Sequence, residues 1–178
     1  MKISFSAILV LTAITLTACA TRKASVVVTP PMSPVVKAPS EGPPMTNDEI
    51  AARIFEAVNK QRAANGLLPL EMSPVLARSA QSHSEKMLNG NFLSTRGADE
   101  PSVITRITSQ GMSTVKLGED VVRLNTWPTR VADETVTIWM GAASDRKNIL
   151  SPAFTKTGIG IARAGTGADY YISQDFAQ

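Results

Sequence analysis

Apolar residues recur along this chain in two rhythms, one near 3.6 and one near 2, and the change between them divides the folded part. From Thr46 the order Thr-Asn-Asp-Glu predicts a capping box, in which Thr46 and Glu49 satisfy each other's early amides. Ile50, Ile54, Phe55 and Val58 follow at helical spacing, and Gly66 supplies a stop. Pro69-Leu70 read as a turn. Ser73-Pro74, a cap residue followed by proline at the first helical position, open a second helix. Its apolar face runs through Leu76, Ala80, His83 and Met87, and Asn89-Gly90 end it. A shorter helix is predicted from Ser102 to Gln110. The pattern turns strand-like between Val115 and Leu124, and returns to helix from Pro128 through Val131, Thr135, Ile138 and Trp139. Two strands close the domain. In the first, Thr157 to Arg163, Ile159 and Ile161 share one face while Gly158 and Gly160 share the other. The second runs from Tyr170 to Phe176, and Gly165-Thr166-Gly167 predict the hairpin turn between them. Helices first and antiparallel strands later imply an α+β layered domain.

What precedes Thr46 has neither rhythm. Lys2 is followed by an apolar run from Ile3 to Leu16 and then by Leu16-Thr17-Ala18-Cys19. A positive start, an apolar stretch short for a bilayer and a small-residue end together predict a signal peptide over residues 1–18. The tetrapeptide resembles the lipobox of bacterial lipoproteins, which implies that Cys19 is lipidated and becomes the mature N-terminus. Cys19 is the only cysteine, so no internal disulfide exists. Ala20 is not the aspartate that often retains such proteins in an inner membrane, so an outer-membrane location is expected where the host has one. Residues 20–45 hold six of the eleven prolines, which predicts a disordered tether biased to polyproline II. At ~3.1 Å per residue its extended reach is roughly 80 Å, enough to hold a domain over residues 46–178 away from a membrane.

Charge alters this picture only by exclusion. The whole chain carries a net charge of +3, but Thr46 to Gln178 hold 14 Lys and Arg against 14 Asp and Glu. The excess base sits in the leader and tether, so the folded part offers no basic face for nucleic acid. The expected partners are instead a membrane, reached through the lipid anchor, and an unidentified envelope ligand or protein.

Several blocks then carry a family resemblance. Asn59 and Arg62, followed by Gly66-Leu67-Leu68-Pro69-Leu70, resemble the "N-x-x-R…G-L-x-P-L" opening of the CAP superfamily, the SCP-like domains of cysteine-rich secretory, antigen 5 and pathogenesis-related proteins. Ala80 to Met87, then Asn91-Phe92-Leu93-Ser94, are similar to the second helix of its bacterial members. Gly118-Glu119-Asp120 resembles the Gly-Glu-Asn block, and Trp139 through Arg146-Lys147-Asn148-Ile149-Leu150 resembles the stretch ending in "H-R-x-N-I-L". Gly158-Ile159-Gly160 and Gln174-Asp175-Phe176 complete the series. The resemblance implies a three-layer α–β–α sandwich with a mainly antiparallel sheet and a surface cleft.

In the family that cleft usually carries two histidines and one or two glutamates that bind a cation. Glu119 is kept. Thr95 stands where the first histidine is expected and Asp145 where the second is, and Ala142 replaces a further glutamate. His83 is the only histidine, read either as a buried, hydrogen-bonded core residue or as a cleft residue. One imidazole does not make a transition-metal site, and no cofactor is expected beyond a weak calcium ion held by Glu119 and Asp145. No serine lies in a G-x-S-x-G context, so a nucleophilic triad has no support. Glu119, Asp145, Thr95 and His83 are thus the cleft candidates. The expected function is a non-catalytic binding module for a small apolar ligand, glycan or protein, with an extracytoplasmic hydrolase or a structural, adhesive lipoprotein as alternatives.

Overall fold

A computed structural model describes residues 45–96, 101–113, 116–165 and 168–178. The predicted signal peptide, Cys19 and the tether up to residue 44 lie outside the described residues, as do two of the three predicted turn residues, Thr166 and Gly167. Among the described residues the chain forms α1 (Asn47–Ala64), β1 (Glu71–Met72), α2 (Pro74–Gly90), α3 (Val103–Ser109), β2 (Leu117–Asn125), α4 (Val131–Gly141), α5 (Ala143–Ile149), β3 (Lys156–Arg163) and β4 (Asp169–Ala177). None of these helices is long and apolar enough to cross a membrane.

The sheet runs β1-β3-β4-β2. β4 lies between β3 and β2, antiparallel to both, while β1 adds two parallel pairs at the β3 edge. The sheet is therefore mixed rather than purely antiparallel. Pro69-Leu70, read as a turn, lead directly into that short parallel strand.

Alternation along the strands sorts the side chains into two layers. Val122, Leu124, Ile159, Ile161, Tyr170, Ile172 and Phe176 face one way and pack with Ile50, Ile54, Val58, Val131 and Trp139 from α1 and α4. The opposite face packs against α2 and α3 through Leu76 and Ile107 at one end and Met87, Ala162 and Tyr171 at the other. α2 crosses this face closely enough that a Cβ at Gly158 would lie 2.0 Å from the Ala77 amide nitrogen, and one at Gly160 would lie 2.1 Å from that of Gln81. The glycine face of β3 is thus the seat of a helix.

The first family block is structural. Asn59 accepts from the Leu70 amide at 2.8 Å and donates to its carbonyl at 3.2 Å, which clamps the chain leaving α1. Arg62 is 2% exposed, and its guanidinium donates to the carbonyls of Leu68, Ile149, Ser151 and Phe154. One buried cation thereby gathers two loops through charge-assisted hydrogen bonds.

Two boundaries differ from expectation. Met45, placed in the tether by its sequence, is 8% exposed and joins the core, so packing begins one residue before the Thr46 cap. α2 continues through Gly90, and Asn91 takes the left-handed conformation (φ 48°) that ends it. Its side chain accepts from Arg123 and from the Tyr171 hydroxyl, which repays the backbone cost.

Candidate functional site

Glu119 sits in the middle of the first half of β2, with Asp175 directly opposite on β4. Both side chains turn to the α2–α3 face. The register places them there, since residues opposite each other in an antiparallel pair share a face. Ser173 lies two residues along β4 on the same face and donates to Glu119 Oε1 at 3.1 Å. From α3, Arg106 reaches in. Its Nη2 hydrogen-bonds Glu119 Oε1 and lies 3.9 Å from Asp175 Oδ1, while Nη1 donates to the Pro101 carbonyl. From α2, His83 brings Nε2 to 3.7 Å from the same Glu119 oxygen and 2.8 Å from the Ser94 carbonyl. A carbonyl only accepts, so Nε2 carries the imidazole proton.

The group is closed to solvent. Side-chain exposure is 0% for His83 and Asp175, 3% for Glu119 and 4% for Arg106. Glu119 Oε2 meets no hydrogen-bond donor, and the Asp175 oxygens have only the nearby Ser79 hydroxyl, Arg106 and Glu119 to answer them, none in good hydrogen-bond geometry. Burial, and then the charge of Asp175, push the Glu119 carboxyl up to about 8 against the opposing pull of Arg106. Burial likewise raises Asp175 to about 6, opposed by Ser79, Arg106 and Glu119. Two carboxyls and one guanidinium sealed together are left with an excess negative charge unless they retain a proton. Their enclosure therefore favours retention of a proton by the pair.

Of the four cleft candidates, the structure brings together Glu119 and His83. Thr95 is exposed, one residue beyond the carbonyl that engages His83. Asp145 is half-buried on α5, accepts from Ser144 at 2.9 Å, and bears on Asp120. Asp120, next along β2, points to the face opposite Glu119, where Asn148 donates to it at 2.6 Å. Burial first, and the charge of Asp145 after it, push Asp120 up to about 8. The expectation that Glu119 and Asp145 line one cleft and share a cation is thereby corrected, because strand alternation turns Glu119 away from the α5 side.

Arg106 and Asp175 were not among the expected site residues. Their signal was present in the pattern: Ser173, Asp175 and Ala177 alternate on one face of β4, and Arg106 falls on the buried side of α3 beside Ile107. A basic residue there and an acid on a two-sided buried strand require each other.

The cysteine-rich secretory protein family, CAP, matches residues 55–176 as a family model. The chain belongs to the CAP family. An uncharacterised Bacillus subtilis protein, YkwD, is 31% identical over 114 residues, which cover 64% of this chain and 43% of that protein. The chain thus spans less than half the length of this curated relative. An extracellular SCP-domain protein of Bacillus anthracis superposes with a TM-score of 0.64 at 22% identity, covering 77% of this chain and 45% of that one. An outer surface protein of Borrelia burgdorferi gives 0.65 at 15% identity, covering 77% and 98%. Both share the fold of this CAP domain.

The cation expected of the family does not fit the residues present. Arg106 already answers the Glu119 charge, His83 spends its Nε2 proton on Ser94, Thr95 faces solvent and Asp145 belongs to the other face. Among the described residues no group of three or more His, Cys, Asp and Glu is placed to hold a metal ion.

Proposed function

We propose that this protein is a lipid-anchored envelope component whose CAP domain binds a partner without performing chemistry of its own. The observation that carries the reading is the sealed Arg106–Glu119–Asp175 group. A catalytic carboxylate must touch substrate, and Glu119 is 3% exposed with a guanidinium against it. The acid pair with its raised pKa values is what favours the hydrolase alternative, since such pairs mark many acid–base sites. Enclosure of the carboxyls favours the binding reading over the hydrolase. Attachment rests on Cys19 at the end of the apolar leader, and an extracytoplasmic place is supported by relatives described as extracellular and outer-surface proteins.

Zinc titration calorimetry and a peptide-cleavage assay on the wild-type protein and Glu119→Gln test this reading. Heat at the level of the buffer blank, and no cleavage by either protein, are expected. Micromolar zinc binding or cleavage that disappears in Glu119→Gln would overturn it.

A further inference from the structure

β2 is the outermost strand on its side of the sheet, and one stretch of its free edge is open. Its pairing with β4 is pinned at both ends by backbone bonds, Gln178 N–H to the Lys116 carbonyl and Thr126 N–H to the Ala168 carbonyl. The register runs between them without a bulge. Even-numbered residues of β2 therefore bond to β4, and the amides and carbonyls of odd-numbered ones point outward. The opposite edge of the sheet is capped. Ser73 donates to the Thr157 carbonyl, and the Gln81 side chain donates to the Ile161 carbonyl at 3.0 Å and accepts from its amide at 2.8 Å. On the β2 edge Asn148 covers the Glu119 carbonyl. Beyond it, among the described residues, nothing bonds the outward backbone groups of Val121, Arg123 and Asn125. Arg123 and Asn125 are exposed. Sheet edges are commonly blunted by proline, a bulge or an outward charge. This stretch has neither of the first two, and the Arg123 guanidinium is drawn back over Tyr171, donating to Asp169 at 3.0 and 2.9 Å.

We propose that this open edge pairs antiparallel with the same edge of a second copy of the chain, about a two-fold axis at Arg123. That axis uses the uncapped segment alone. Arg123 meets Arg123 of the second copy, and each Val121 meets the other copy's Asn125, every opposed pair exchanging two backbone hydrogen bonds. An axis at Val122 instead would lay Asn125 of the second copy beside Glu119, where Asn148 of α5 already stands. Like charges directly opposite each other are destabilising. Here each arginine brings its own Asp169, so the axis gathers two ion pairs rather than two bare cations. A five-residue strand pair is small beside the roughly 1,200 Å² of a stable free complex, so the pairing depends on the confinement of an anchored chain. The inference therefore rests on the lipid-anchored reading and supplies the partner, a second copy.

The test reconstitutes the acylated full chain in phosphatidylcholine vesicles and oxidises it, with one cysteine added per copy. Opposed residues of such a pair have Cα atoms about 5.5 Å apart, within disulfide reach. Copies carrying Val121→Cys should therefore cross-link to copies carrying Asn125→Cys. Asn125→Cys copies alone should not, because that register sets them about 14 Å apart along the strands. Lys60→Cys, exposed on α1, measures random collision. Arg123→Pro removes the central outward amide, keeps the β4 ladder and should lower the yield about tenfold. A Val121–Asn125 yield no higher than that of Lys60→Cys overturns the proposal, as does equal cross-linking of Asn125→Cys copies with each other. Binding of a synthetic peptide of residues 120–126 without any cross-link between copies would give the edge to a foreign strand and overturn it too. A chain that does not enter the vesicles removes the anchor and this pairing together, whereas a membrane-bound chain that does not cross-link removes the pairing alone.

Discussion

Two buried arginines occupy this domain and do different work. Arg62 satisfies four backbone carbonyls, so its charge is answered by dipoles and its loss unravels loops. Arg106 answers ionisable groups. Arg106→Met removes the cation from two sealed carboxyls, and breaking a buried ion pair this way costs about 3–5 kcal/mol in urea unfolding. Adding Asp175→Asn to Arg106→Met should recover a large part of that loss, because the stranded charge goes with Asp175, whose carboxyl is the more acidic of the two. Equal stabilities for the single and double variants would show that the group is not coupled. Glu119 was legible in the sequence because a glycine precedes it in a known block, and His83 because it falls on an apolar stripe. Arg106 and Asp175 carried only the weaker signal of their helix and strand faces, because the reason for each lies in a residue far away in the chain. Asp145 was misplaced for a related reason: its block gives a position in sequence, whereas the face it serves depends on the alternation of a different strand.

At the level of elements, local signals sufficed where one residue type answers one backbone need. The Thr46–Glu49 box forms with both reciprocal bonds, and the capping hydrogen bonds hold the Glu49 carboxyl below its usual range. Thr46→Ala should therefore cost about 1 kcal/mol in the same unfolding measurement. Strand β1 escaped notice because two residues carry no periodicity, and its pairing comes from the chain that follows Arg62's clamp. The glycine face of β3 was visible as a pattern, but only the approach of α2 gives it a cause. Gly160→Ala places a methyl group on helix backbone, which cannot move aside as a side chain can. A loss of at least about 3 kcal/mol, or failure to fold, is expected. Gly141→Ala meets nothing and serves as the control, with a melting temperature close to that of the wild type.

Across the whole molecule the buried carboxyls link stability to pH in an unusual direction. Glu119 and Asp120, raised to about 8, and Asp175, raised to about 6, bind protons more tightly folded than unfolded. Their contribution is fully present below the ordinary carboxyl range and is lost as pH climbs through about 6 to 8. The melting temperature should fall over that interval, and Asp120→Asn should flatten part of the decline; a rising melting temperature there would contradict the assignment. Lipidation belongs to this scale as well: Cys19→Ser should abolish incorporation of labelled fatty acid and leave the protein unprocessed or soluble. Incorporation that persists would move the anchor elsewhere.

The central place of β4 has a consequence in time. The strand made after all the others is the one that both β3 and β2 must pair with, and it carries Ser173 and Asp175. Until residues 169–177 leave the ribosome, the earlier segments have no common surface on which to settle, and the helices present apolar stripes with nothing to cover them. If the leader directs export as proposed, that delay keeps the chain in the unfolded form that a threading secretion channel accepts.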